Sequence, residues 1–452
     1  MAISNEITRL SNAKAALKTK IEGAFSVSIP STDKLDNYPN YFPSDVDLSY
    51  RDVHGNTLIA RSTANCYVCR AAGLYKFPVV YGNGIKNGST NTSAYTRQGS
   101  TYTADFVNHL GNTITSPYIE NNTNCTPASA ALLWQSHTSM ITAVSLEQGS
   151  DCYYIKFTAA SVPELNGVAI LAVKNSSGDI MWSWDIWLTT HDLTASTFTN
   201  YTGATYDLMA ENLCTIWDNS THCVSAWYQW GRKDIVGFRT SYSWSSQTGG
   251  IKTGYDINGN TVEFPNFGSS NDQSSSKTVA NSIQKPLYHF TQYNSSLANW
   301  NNLSYFNNFW NAAATGSSDV ADDQSTAKKT IYDPCPVGFM LPAARAFTGF
   351  TSNGGEQSSW SYIRYVSYDS YGVRFKRNTS DTVGSYFPFS MLRERDSGKF
   401  CGGSNRMYFW TYGYSSQSQA GSYVTLNDGH TITLYTDNRA CGMVIRPCVE
   451  LT

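Results

Sequence analysis

Charge is scarce in this chain. Asp, Glu, Lys and Arg make up 15% of its 452 residues, against about 25% in an ordinary soluble domain. The net charge of -2 gives no basic footprint for nucleic acid or for an anionic membrane surface. No apolar run reaches the roughly 18 residues that a bilayer-spanning helix needs, so membrane insertion is not expected. The opening MAISNEITRL lacks a basic stretch followed by an apolar core and carries Glu6 in its first turns, so a secretory signal is not expected and the chain should fold in a cytosol. Catalytic signatures are missing as well: there is no GxSxG elbow, no HExxH pair and no P-loop. The stretch YGNGIKNG, residues 81–88, misses the GxGxxG spacing by one residue and no helix pattern follows it. Of the ten cysteines only Cys66 and Cys69 form a CxxC, with neither a second pair nor a nearby HxxxH. Neither a metal nor another cofactor is therefore expected, and the thiols read as reduced and mostly buried.

Apolar residues reach 41%, aromatics 14%, with 30 Tyr and 12 Trp. Such a chain can bury a substantial core, and its length allows about three domains. Ile3, Ile7, Leu10, Lys14, Leu17 and Ile21 recur at spacings of four and three, the seam of a short coiled coil. Ser4 can cap its start and Gly23 its end. A seam of this length is marginal alone, which leaves an amphipathic helix lying on its own protein, or a docking and oligomerisation helix over residues 1–25 followed by a linker over 26–50. From there the period changes to two. GVAILAVKNSSGDIMWSWDIWL, residues 167–188, holds two apolar runs around Asn175, Ser176, Ser177 and Gly178 and predicts a hairpin with one buried and one partly exposed face. Residues 51–192 read as one β module, and 193–452 as another region, thinned by Ser/Gly-rich loops near 245–276. Within that region YDPCPVGFMLPA, residues 332–343, sets three prolines around Cys335 and Gly338. Such a run can continue neither a helix nor a central strand, and it reads as a rigid entry into a packed element.

These stretches carry resemblances. ISNEITRLSNAKAALKTKIEG followed by VSIPSTDKLDNYPNYF resembles the N-terminal segment of tailed-phage tail, fibre and baseplate-associated proteins, which implies attachment to other virion proteins through residues 1–45. TANCYVCRAAGLYKFPVVYGNGIKNGSTNTSAYT, PASAALLWQ and IMWSWDIWLT are similar to a β-sandwich module of surface-displayed and phage-encoded proteins of Bacteroides-type bacteria, with Asp185 where that pattern has His. WYQWGRKD, YDPCPVGFMLPAARAFTGF, RMYFWT and NRACGMVIRPC occur in that order. Together they resemble the C-type-lectin-like domain of paralogous Bacteroidota and Fibrobacter surface proteins, which is related in fold to formylglycine-generating enzymes and to the variable proteins of diversity-generating retroelements. That family implies that the Asp-Pro-Cys-Pro element leads into a short helix and that the closing Val-x-Arg-Pro strand lies beside the terminal core. The Glu-Pro-Asn, Gln-Pro-Asp and Trp-Asn-Asp elements of calcium-dependent sugar binding do not occur here. Cys335, Cys441 and Cys448 read as residues that pack or bridge the domain core rather than as a reactive pair.

What remains is a display surface. TYGYSSQSQAGSYVTLNDGHTITLYTDNRA, residues 411–440, has the Tyr, Ser, Gly, Asn and Asp content of adaptable binding loops. Tyr423, Leu426, Ile432 and Leu434 read as core residues of two hairpin strands. Tyr412, Tyr414 and Tyr435 read as exposed aromatic anchors, and Asn427, Asp428, His430, Asp437 and Asn438 as orienting polar groups, with Ser415, Gln417 and Gln419 beside them. Arg439 and Arg446 should pair within the fold. The expected fold is multidomain, mainly β and α+β: an N-terminal helix, a β-sandwich and a C-terminal C-type-lectin-like domain. The expected function is that of a virion protein, a tail or head fibre that assembles in the host cytoplasm as a homo-oligomer, with a trimer favoured. It would bind a host-surface glycan or protein receptor without catalysing a reaction. The alternative is a bacterial surface adhesin or fimbrial tip protein of the same domain family.

Overall fold

The computed structural model describes residues 2–25, 28–34, 45–163, 166–217, 223–240, 251–294, 296, 298–317, 324–355, 357, 359–401, 406–414, 421–427 and 431–451. The chain divides into two compact units, Met1–Val46 and Asp47–Thr452.

The first unit is built on helix α1, Ala2–Phe25. Its seam is unequally covered. Ile21 is buried, as is Ile29 in the segment that follows, whereas Ile7, Leu10 and Leu17 are 64%, 52% and 43% exposed. Glu22 fixes the return of the chain by accepting from Ile29 N at 2.8 Å and pairing with Lys18 at 2.5 Å. No described helix is long and apolar enough to cross a membrane.

The second unit is mainly β, with several sheets. One sheet contains β2 (Gly73–Pro78), β5 (Tyr153–Ala159) and β4 (Ile141–Gln148) side by side and antiparallel. A six-stranded sheet contains β1 (Cys66–Cys69), β7 (Ile180–Leu188), β6 (Gly167–Lys174) and β3 (Ser129–Gln135), then short strands Gly254–Tyr255 and Thr261–Val262. Rings join the two sheets: Phe77 of β2 lies 5.2 Å from Trp184 of β7 and 4.9 Å from Tyr67 of β1. Burying side chains of this size contributes roughly 1.5–3 kcal/mol each.

The hairpin read at residues 167–188 is present, with Trp184 opposite Leu171 and Ile186 opposite Ala169. Its turn is closed by Asn175, whose side chain accepts from Ser177 N and Asp179 N. Gly178 supplies the positive φ, 87°, that the turn requires. Contrary to the expected half-exposed face, β7 is buried on both sides from Met181 to Leu188. The reason is that Ser183 and Asp185 meet polar partners from distant chain. Ser183 Oγ donates to Asp234 at 2.7 Å, and Tyr228 OH donates to Asp185 at 3.2 Å.

Contacts also cross the boundary expected between residues 192 and 193. Trp134 stacks on Phe238 at 5.3 Å, Trp182 on Tyr332 at 5.9 Å, and Asn65 Nδ2 donates to the carbonyls of Ile331 and Asp333. The proline-rich stretch at 332–343 is buried through Pro336, and both oxygens of Asp333 hold its bend, accepting from Cys335 N at 2.7 Å and Leu341 N at 3.1 Å. A 3-10 helix, Ala344–Phe350, follows. All ten cysteines are free thiols, nine buried and Cys401 exposed.

Candidate functional site

The Tyr-rich segment forms three antiparallel strands. They follow strands β8 (Gly372–Phe375) and β9 (Ser385–Pro388) in the chain and are β10 (Met407–Tyr414), β11 (Gly421–Asn427) and β12 (Thr431–Asp437). β10 is buried along its whole length. Tyr412 and Tyr414, expected as exposed anchors, are instead core residues, with Tyr414 OH donating to Gly316 O at 3.3 Å. Trp230 draws this strand inward by donating its indole N–H to the carbonyls of Thr411 and Gly413 at 3.1 Å, and Trp410 donates to Tyr228 O at 2.8 Å. Gly421 makes the close approach possible, because a Cβ there would lie 2.4 Å from the Trp230 ring.

Asn438, expected to be exposed, is buried and bonded to Gln292 and Ala440 N. Asp437 is half-buried and pairs with Arg395 at 3.3 Å, its carboxyl pushed up by burial. Asn427 and Tyr435 stand on β11 and β12, opposite Thr431 and Tyr423, and their side chains lie outside the described residues. Asp428, His430, Ser415, Gln417 and Gln419 also lie outside them. Arg439 and Arg446 are buried as expected, Arg439 bonding Asn307 at 2.6 Å.

A cavity of about 280 Å³ lies elsewhere, lined among others by residues that the sequence never sets together: His191, Glu211, Trp217, Arg374, Tyr386 and Arg446. Arg70 clamps its first loop, donating to Thr190 O at 3.0 Å and His191 O at 2.7 Å. Glu211 organises one wall. Its Oε1 engages His191 Nδ1 at 2.9 Å and accepts from Trp217 Nε1 at 3.1 Å, while its Oε2 accepts from Asn166 at 3.4 Å. The imidazole and indole are then fixed 5.5 Å apart. Another part of the lining comes from β8 and β9, which pair Arg374 with Tyr386 across the strands, the guanidinium 5.4 Å from the ring centroid. Arg446 is fully buried, donating to Asn212 Oδ1 at 3.2 Å and Tyr386 O at 2.6 Å above the Phe387 ring. Burial pushes its guanidinium down to about 9, against the opposing pull of Glu211.

A larger opening of about 600 Å³, lined by Leu58, Ile59, Ala60, Lys86, Val337 and Glu450 among others, has less chemistry to offer, because Lys86 and Glu450 pair with each other at 2.8 Å. The strongly perturbed ionisable groups are in the interior. Lys233 bonds Ser183 Oγ at 2.6 Å and Asp234, over the Trp182 ring at 4.4 Å, and burial lowers its pKa and raises that of Asp185 well above the usual carboxylate range. The void beside Lys233 and Asp234 is about 10 Å³. That volume holds no more than a water molecule, so the cluster has no room for a substrate. Cys66 and Cys69 are buried in one strand, their thiols pushed up by burial. Among the described residues no group of three or more His, Cys, Asp or Glu is placed to hold a metal ion.

Comparison with family models, with curated proteins and with solved structures finds no match to this chain.

Proposed function

We propose that this chain is a recognition protein of a virion appendage, a tail or head fibre component that binds a glycan or glycoprotein on the host surface. In this reading α1 joins it to other virion proteins and to its own copies in a trimer, residues 51–192 form a β-sandwich module, and residues 193–452 form a C-type-lectin-like head.

The observation that carries the recognition role is the cavity at His191, Glu211, Trp217, Arg374, Tyr386 and Arg446. It combines aromatic faces with fixed donors and acceptors, the combination by which a pocket holds a ligand with both apolar faces and hydroxyl edges. The interior reactive groups at Lys233, Asp185 and Cys66, by contrast, are enclosed. The test is adsorption of the fluorescently labelled full chain to intact bacterial cells. Periodate, which cleaves sugar diols, should abolish adsorption to a susceptible host, and protease treatment of the cells should leave it if the receptor is a polysaccharide. Adsorption that survives periodate and is lost with protease would replace the glycan by a protein receptor, and absence of adsorption to the host that supports the particle would refute the role.

A further inference from the structure

We infer that this cavity takes one sugar unit bearing a carboxylate, a uronic or sialic acid, with Arg374 as its anion contact. The inference rests on the glycan-recognition reading and narrows it to a ligand class. A volume of about 280 Å³ stands at the lower edge of small-molecule sites, which run from about 300 to 1,000 Å³. It suits a single ring rather than a chain of them.

The charges around the cavity indicate which ring. Two carboxylates line it: Glu211 has both oxygens engaged, by His191, Trp217 and Asn166, and Asp192 has its Oδ1 engaged by Thr194 N at 2.9 Å and Thr194 Oγ1 at 2.6 Å. Two guanidiniums line it as well. Arg446 is spent on neutral acceptors, the Asn212 amide, the Ser385 hydroxyl and the Tyr386 carbonyl. Arg374 differs. It is exposed, and among the described residues its guanidinium has the Tyr386 ring as its partner and no carboxylate. A guanidinium held over a ring by a cation–π contact spends none of its N–H donors on that contact, and its N–H fork matches a carboxylate in two parallel hydrogen bonds. Trp217 supplies an aromatic face for the sugar ring, held in orientation by its bond to Glu211. Binding is reversible and no bond is made or broken.

The experiment is calorimetric titration of the intact chain with D-glucuronic acid, N-acetylneuraminic acid and, as the neutral probe, methyl α-D-glucopyranoside. At least one acid should bind more tightly than the neutral sugar. Arg374→Gln should weaken that acid about tenfold or more, as loss of a charge-assisted pair does, and leave the neutral sugar unchanged. Trp217→Ala should weaken both. Arg374→Lys, which keeps charge without the fork, should fall between wild type and Arg374→Gln, and an unchanged melting temperature confirms that each variant is folded. Acids that bind no better than the neutral sugar, or an Arg374→Gln variant that binds the acid as wild type does, would overturn the assignment. The two readings fail separately. If cells are bound but neither acid competes, the acidic-sugar assignment is wrong and surface recognition stands. If an acid binds through Arg374 but no cell surface is bound, the cavity assignment stands and the appendage role is wrong.

Discussion

Asp333 shows how a single residue gives the proline-rich stretch its shape. Prolines at 334 and 336 restrict the backbone, and the aspartate's two oxygens then bind N–H groups on both sides of the bend. Burial pushes its carboxyl up to about 6, against the pull of Lys329 and those two N–H groups. A folded-state pKa above the unfolded value of about 3.9 means that the folded chain holds the proton more tightly. The resulting stability is fully present below about pH 4 and is lost as pH rises through about 6, a change of about 2–3 kcal/mol. Urea unfolding of wild type and Asp333→Asn should therefore show the wild-type advantage shrinking by that amount between pH 4 and 7; parallel pH profiles would contradict the assignment. The stiffness of this stretch was legible in its prolines, but its bonding was not, because the N–H of Leu341 is eight residues away. The tyrosines of β10 were misjudged for a similar reason. Tyr, Ser and Gly suit a binding loop and a buried strand equally, and the choice is made by Trp230, remote in sequence. Tyr412→Ala should thus cost about 3–5 kcal/mol of stability, as deletion of a core aromatic does, measured by denaturant unfolding. A cost below about 0.5 kcal/mol would return Tyr412 to the surface.

Among the elements, those with local codes were readable. The β6–β7 hairpin announced itself by its period of two and its Asn-Ser-Ser-Gly turn, and α1 by its seam. What could not be read was the environment of each face. Ser183 and Asp185 alternate with tryptophans as a solvent face would, yet they are buried because Asp234 and Tyr228 satisfy them. In α1 the exposure of Ile7, Leu10 and Leu17 leaves an apolar stripe of the kind that copies of a helix bury against each other. Removal of residues 1–25 should lower the particle mass seen by light scattering to that of a monomer while leaving the main thermal transition unchanged, since Asp47–Thr452 is a compact unit in its own right. An oligomeric mass that survives the truncation would place self-association elsewhere.

For the whole molecule, the candidate site was not legible at all. His191, Glu211, Trp217, Arg374, Tyr386 and Arg446 span more than half the chain, and of them Arg446 alone, in the closing Val-x-Arg-Pro run, belongs to a motif. They meet because Glu211 bonds both His191 and Trp217, β8 and β9 set Arg374 opposite Tyr386, and Arg446 donates to the Tyr386 carbonyl. Lys233 and Asp185 are buried in the interior, and the void beside Lys233 is only about 10 Å³, so that cluster faces no substrate-sized space. The central claim is that the molecule recognises a surface glycan and leaves it intact. Its most direct measurement is incubation of the full chain with polysaccharide purified from the susceptible host, followed by recovery of bound and free sugar and mass analysis of both. The account predicts retention of polysaccharide of unchanged mass; polysaccharide that is shortened, chemically altered or not retained at all would contradict it.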